Sequence, residues 1–234
     1  MRLDHFIAKT LAISERDARL RLIEKKVIVD GKISTDHEQK ISRFSEIEIR
    51  GRVLQYAVQR HYLMLHKPVG ILSATRDPIH RTVLDLIDCP AKETLHLAGR
   101  LDRSSSGLVL LTNDGHWSES LTDPEEKVSK HYLVETDRQI PGSAVERFRK
   151  GFAFQTEGIV TRPATLEIHA PRRACVTLEE GRYHQIKRMF HRLDGIRLIS
   201  LHRDRIGGIR LPEDLKPGQW RSLTEKEIQS PRSL

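Results

Sequence analysis

One aspartate in this chain stands between two arginines in a segment bounded by glycines: Gly99-Arg100-Leu101-Asp102-Arg103-Ser104-Ser105-Ser106-Gly107. The apolar run Leu108–Leu111 and an Asn113-Asp114-Gly115 turn follow at once. Glycine at both ends and a buried strand immediately afterwards would hold Asp102 on a fixed loop at a sheet edge, a place that suits a nucleophile. A carboxylate with a reference pKa of ~3.9 is ionised at neutral pH, and neighbouring cations keep it so even where apolar walls desolvate it. The same residues also fit an ordinary loop aspartate bonded to Arg100 or Arg103. Taken alone they leave both readings open.

A second dense region is Glu180-Gly181-Arg182-Tyr183-His184-Gln185-Ile186-Lys187-Arg188-Met189-Phe190-His191-Arg192-Leu193, closed by Asp194-Gly195. Tyr183, Ile186, Phe190 and Leu193 recur at helical spacing and predict a buried stripe on a helix over 182–193. His184, Lys187, Arg188 and His191 would occupy a second, polar face. Residues 180–210 hold eight basic and three acidic side chains, a net of +5, which suits RNA phosphates, with Arg182 and Arg188 as contacts. Two histidines seven apart offer no metal-ligand spacing, so no metal is expected. Lys130-His131-Tyr132-Leu133-Val134 is a third candidate, because an aromatic on a strand beside basic residues can stack on a displaced base, although a strand tyrosine equally serves a core.

The elements that must carry these residues divide the chain. Residues 1–50 read as a small unit of their own. Leu3, Phe6, Ile7 and Leu11 recur at helical spacing, and Ser14 is placed to cap a second helix through about Lys25. Val27–Ile33 sets Asp30-Gly31 between β-formers, a hairpin signal, and Glu46–Ile49 alternates as a half-buried strand. Arg16, Arg19, Arg21, Lys25 and Lys26 lie on or just after the second helix, either as a solvated face or as contacts to a phosphate backbone. Residues 51–60 read as a polar linker. A larger domain over 61–234 begins with a strand at Tyr62–Leu65, ended by Pro68 and Gly70, with further strands at 107–112, 130–136, 164–169 and 174–179. Helices are predicted at 81–88, 115–121, 143–149 and 182–193. Irregular interleaving without a glycine-rich nucleotide loop predicts an α+β fold with a mixed, largely antiparallel sheet. The last residues, 230–234, are expected to fray.

Composition sets outer limits. The chain has 234 residues with 40 Lys+Arg against 32 Asp+Glu, a net of +8, and 38% hydrophobic residues, enough for a packed core. The longest apolar runs span four residues, far below the ~20 a membrane helix requires. The opening MRLDHFIAKT lacks a secretory signal, so the expected location is cytoplasmic. Cys89 and Cys175 form no C-x-x-C pair and are expected to be buried thiols.

The three segments, in this order, resemble the pseudouridine synthases, and within them the group that acts on small-subunit rRNA. Gly99–Asp102 with the following Ser-Gly-Leu-Val-Leu-Leu-Thr-Asn-Asp-Gly is similar to that family's nucleophile motif, Lys130–Tyr132 to its Lys-x-Tyr motif, and Glu180–Phe190 to its basic helix. Met1–Asp4 and the hairpin through Gly31 resemble the S-four-type RNA-binding domain attached to such enzymes. The resemblance covers nearly the whole chain. It implies that Asp102 is the nucleophile, that Tyr132 packs on the target uracil, that Lys187 pairs with Asp102, and that Arg100, Leu101 and Ile186 line the base pocket. Two positions depart from the pattern: Ser105 stands where related motifs often carry Thr, and Lys187 where many carry Arg, so a bidentate fork becomes a point charge. The implied reaction isomerises uridine in 16S rRNA, naked or in a partly assembled subunit, by a monomer without metal or other cofactor. A large-subunit rRNA synthase and a non-catalytic assembly factor are the alternatives. Arg182-Tyr183-His184-Gln185 and Arg205-Ile206-Gly207-Gly208-Ile209 look more like the small-subunit group.

Overall fold

The computed structural model describes residues 1–230 and divides into two compact units, Met1–Arg60 and the chain from His61 onward. In the first, helices α1 (Leu3–Leu11) and α2 (Glu15–Ile23) pack on an antiparallel sheet of β1 (Val27–Val29), β2 (Lys32–Ile33), β3 (Ile47–Ile49) and β4 (Arg52–Gln55), ordered β2-β1-β3-β4. Ser14 caps α2 as expected, its hydroxyl accepting the Asp17 N–H at 3.1 Å. The β1–β2 turn has positive φ at both Asp30 (50°) and Gly31 (76°), as a tight hairpin requires. Strand β4 lies inside the segment expected as a linker. Its pairing with β3 satisfies the backbone of a four-residue segment, Arg52-Val53-Leu54-Gln55, too short for its pattern to advertise a strand. Leu3, Ile7, Leu22, Val27 and Ile47 form the fully buried core of this unit.

Asp4 anchors the same unit. Its carboxylate is buried and accepts from Arg2 Nη2 at 2.8 Å and Arg19 Nε at 2.9 Å. Burial raises its pKa, but the hydrogen bonds from Arg2, Arg19 and the His5 N–H outweigh that and hold it at about 2.

The second unit is built on a nine-stranded sheet. Its strands are β5 (Tyr62–Lys67), β6 (His96–Leu97), β7 (Ser106–Thr112), β8 (Lys130–Thr136), β11 (Thr165–Ala170), β12 (Arg173–Leu178), β13 (Leu198–Ile206), β14 (Ile209–Arg210) and β15 (Trp220–Ser222). The main path runs β11-β12-β8-β13-β7-β5-β15, with β14 beside β13 and β6 beside β7. Among the described strands, only β7 and β13 pair in parallel. A separate ribbon joins β9 (Ala153–Phe154) to β10 (Ile159–Val160), and the helices are α3 (Gly115–Thr122), α4 (Ala144–Lys150), α5 (Gln185–His191) and α6 (Glu225–Gln229). The fold is α+β with a mixed, largely antiparallel sheet, as the sequence predicts.

Strands β5 and β7 read as unbroken apolar runs because both their faces are covered. Leu63, Leu65, Val109 and Leu111 join one core with Tyr132, Val176, Ile186 and Phe190, while Met64, Leu108 and Leu110 join another with Trp117, Ile206 and Ile209. Residues 81–88 do not form the expected helix. Asp85 Oδ2 accepts both the N–H and the hydroxyl of Thr82, closing a single 3-10 turn at Leu84–Leu86, and Ile87 is already extended. Cys89 and Cys175 are partly exposed rather than buried. Ser230 ends α6 and donates to the Glu227 carbonyl, whereas the rest of the segment expected to fray, 231–234, lies outside the described residues. Among the described residues no helix is long and apolar enough to cross a membrane.

Candidate active site

Asp102 sits on the turn that leads into β7, and hydrogen bonds made by Ser73, Ser105 and Lys67 fix that turn. Ser73 Oγ accepts the Leu101 N–H at 3.0 Å and donates to the Leu101 carbonyl at 2.7 Å. The Ser105 N–H closes on the Asp102 carbonyl at 3.0 Å. Lys67, at the end of β5, is fully buried, and its Nζ donates to the carbonyls of Ser105 (2.7 Å), Pro68 (3.0 Å) and Arg103 (3.5 Å). Burial pulls its pKa down to about 8, against the pull of Asp102, which favours the charged form. Gly107 then admits the β13 backbone: a Cβ there would lie 2.1 Å from the Arg203 carbonyl oxygen, and its φ is +112°.

Facing this loop is the first turn of α5. Lys187 Nζ lies 2.6 Å from Asp102 Oδ2 and donates to Ser104 Oγ at 2.9 Å, while His184 Nε2 stands 3.4 Å from Asp102 Oδ1. The sequence separation is 85 residues, and the fold closes it with one ion pair. Helix α5 begins at Gln185 rather than Arg182, because His184 takes a left-handed conformation (φ 49°). Tyr183 is therefore outside the helix and 76% exposed, its ring stacked on His184 at 3.9 Å, not part of the predicted buried stripe; Met189 takes that place beside Ile186 and Phe190. The approach to α5 is braced from below. Buried Glu180 accepts from Gln185 Nε2 at 2.6 Å, Arg182 Nε at 3.0 Å and the Arg162 N–H at 2.9 Å.

Asp102 and Lys187 open onto a cavity of about 520 Å³, within the usual size of small-molecule sites. Arg100, Leu101, Tyr132, Arg182 and Ile186 also line it, so the structure gathers most of the sequence-predicted residues around one hollow. Tyr132 is buried, on β8, the strand beside central β13. Lys130, two residues earlier on the same strand, lines the cavity too, and burial draws its pKa down to about 8. A carboxylate with an amine at contact distance, facing an enclosed aromatic, can attack or steer a planar ring brought into the cavity.

Other predicted residues have different employment. Arg188 makes a double hydrogen bond to Glu157 (2.7 Å each) with its guanidinium 3.7 Å from the Phe154 ring centroid. Arg19 is held by Asp4, and Lys26 by Glu24. Arg16 and Lys25 are exposed on the first unit. Sequence reasoning missed Lys67, Glu180, Gln185 and Arg203. Lys67 left a signal, a lysine directly before the Pro68 that ends a buried strand, and Glu180 and Gln185 lie within the segment similar to the family's basic helix.

The fold and this site together place the protein among the RNA-modifying isomerases. A family model described as RNA pseudouridylate synthase matches residues 61–192, and the chain belongs to that family. The chain is 46% identical over 228 residues to "Ribosomal small subunit pseudouridine synthase A" of Pseudomonas aeruginosa, an alignment spanning 97% of this chain and 99% of the relative. It is 43% identical over 230 residues to the protein of the same name from Escherichia coli (strain K12), covering 98% and 99%. A solved structure described as "Crystal structure of pseudouridylate synthase" superposes with a TM-score of 0.72 at 35% identity, covering 99% of both chains.

Proposed function

We propose that this protein converts a uridine of small-subunit (16S) rRNA to pseudouridine, with Asp102 as the nucleophilic carboxylate, Lys187 as its partner cation and Tyr132 as the ring packed on the uracil. The observation that carries the reading is the 2.6 Å Asp102–Lys187 pair on the wall of a base-sized cavity, in a chain of this family. The target must leave its stack to reach the carboxylate, at a cost of a few kcal/mol that contact with an enclosed aromatic partly offsets. Cations at the rim, Arg100 and Arg182 among them, attract the flanking phosphates. In this reading the first unit adds RNA affinity through Arg16 and Lys25, with Arg19 and Lys26 at its edge. The enzyme works in the cytoplasm as a monomer, on naked rRNA or on a partly assembled subunit.

The test is nucleotide-resolution mapping of pseudouridine in rRNA from cells with and without the protein, repeated in vitro with purified protein and 16S transcript. One small-subunit position should depend on the protein. Asp102→Asn should abolish product while leaving RNA binding within about threefold, since the carboxamide keeps the shape and loses the nucleophile. A product in large-subunit rRNA, or undiminished product from the variant, overturns the assignment.

A further inference from the structure

Arg203 is the most unusual charge in the molecule. It lies on the central strand β13, is 3% exposed, and lines the cavity. Its Nε donates to the Leu108 carbonyl at 2.9 Å, and its Nη1 reaches the Arg100 carbonyl at 3.4 Å and the Tyr132 hydroxyl at 3.5 Å. Its Nη2 is enclosed and has no hydrogen-bond partner, and no carboxylate lies within ion-pair distance of the guanidinium among the described residues. A buried guanidinium cannot shed its proton, and an enclosed donor without an acceptor costs about 1–3 kcal/mol, more for a charged group. Such a cost persists where a ligand removes it. Ser105, also on the cavity wall, shows the same feature: its Oγ is buried and unpartnered.

The surroundings add to the imbalance. Lys67 and Lys130 lie close enough for the Arg203 charge to reinforce the downward pull that burial exerts on both amines. Six Lys and Arg side chains line the cavity against three carboxylates, Asp102, Glu125 and Glu180, so the lining is cationic in excess and complementary to an anion that arises inside it.

Pseudouridine formation generates such an anion. The C1′–N1 bond breaks and a C1′–C5 bond forms, with a hydrogen lost from C5 and one gained at N1. Whether C1′ is captured by the carboxylate or loses a proton from C2′, the electron pair of the broken bond goes to the uracil. Its charge spreads from N1 onto the carbonyl oxygens O2 and O4 until C5 of the turned ring bonds C1′. We propose that Arg203 is a catalytic residue: its Nη2 donates to a uracil carbonyl oxygen and stabilises the charge the ring carries once the glycosidic bond has broken. The inference rests on the pseudouridine-forming reading given above. A fixed donor already desolvated in the resting enzyme needs no reorganisation when the charge appears, which is how such groups lower barriers.

The experiment compares wild type, Arg203→Met and Arg203→Lys under single-turnover conditions on two transcripts, one with uridine and one with 5-fluorouridine, following loss of the starting nucleoside. Fluorine at C5 stabilises the uracil anion intrinsically. Arg203→Met should lose roughly 10²–10³-fold in rate on uridine RNA, the usual loss for removing one such donor. Its deficit on 5-fluorouridine RNA should be at least tenfold smaller. Arg203→Lys, which keeps the charge and loses the fork, should fall between and folds even if the Met variant does not. Equal deficits on both RNAs for Arg203→Lys, or an unchanged rate for either variant, overturn the inference, because a merely misplaced pocket slows both substrates alike. A wild-type protein that makes no pseudouridine overturns the reading beneath it as well. Wild-type conversion with equal deficits overturns this inference alone.

Discussion

Replacing Lys67 by Met gives the sharpest check on how the Asp102 loop is held, because opposing energies there nearly cancel in stability but not in activity. Folding lowers the Lys67 amine from 10.5 to about 8, which corresponds to roughly 3 kcal/mol against burying it charged. Met removes that cost. It also strips the donors from the Ser105 and Pro68 carbonyls, bonded at 2.7 and 3.0 Å, at about 1–3 kcal/mol each. The net change in stability at neutral pH should stay within about 2 kcal/mol. The loop that carries Asp102 loses its tie to β5, and a displacement near 1 Å at the nucleophile is enough for roughly a 100-fold fall in kcat.

The pH dependence supplies a second signature. Between about pH 8 and 10.5 the unfolded chain holds the Lys67 proton and the folded protein has released it, so stability rises with pH through this window. Lys130 acts in the same direction in both proteins and cancels in the difference. Urea unfolding followed by Trp117 and Trp220, both in the second unit, should therefore show wild type gaining on Lys67→Met by up to about 3 kcal/mol as pH rises. A wild-type rate in the variant, or a stability difference that does not move with pH, refutes the reasoning.

Three further outcomes are expected. Lys187→Met should cost about 10²–10³-fold in kcat, and Lys187→Arg should restore the rate to within about tenfold of wild type, since the charge returns but a fork replaces a point contact. Asp4, held at about 2 from 3.8, contributes about 2 kcal/mol to the first unit above pH 4, lost as pH falls toward 2. Hydrogen exchange of the α1 and α2 amides should report that loss in wild type but not in Asp4→Asn, which is destabilised at neutral pH. Gly107→Ala sets a methyl against the Arg203 backbone and should cost roughly 3 kcal/mol or more, read as a lowered Tm together with lost activity.

Local rules made much of this structure readable in advance. The Asp30-Gly31 hairpin, the Ser14 cap and the apolar runs of β5 and β7 are decided by neighbours in sequence, and they were legible for that reason. Asp102 and Lys187 were named through motif resemblance, but their contact depends on an 85-residue closure that no local pattern encodes. What escaped notice was decided by distant partners. Strand β4 exists because β3 offers it an edge, and Tyr183 left the predicted stripe because His184 turns the backbone before the helix starts. Arg203 resembles any strand arginine until the fold encloses it, and Glu180 any loop glutamate until Gln185, Arg182 and the Arg162 amide converge on it.

The order of strands carries a consequence for synthesis. Strand β13, completed at residue 206, is inserted between β8 and β7, both made long before it. While the ribosome is still extending the chain through α5, these two strands have exposed edges and lack the element that joins them. Such edges invite pairing with other chains, and long-range strand insertion is slow. The carboxylate loop, the basic helix and the buried guanidinium therefore come into register only once β13 has emerged, so a product terminated before β13 has neither a closed sheet nor a working pocket.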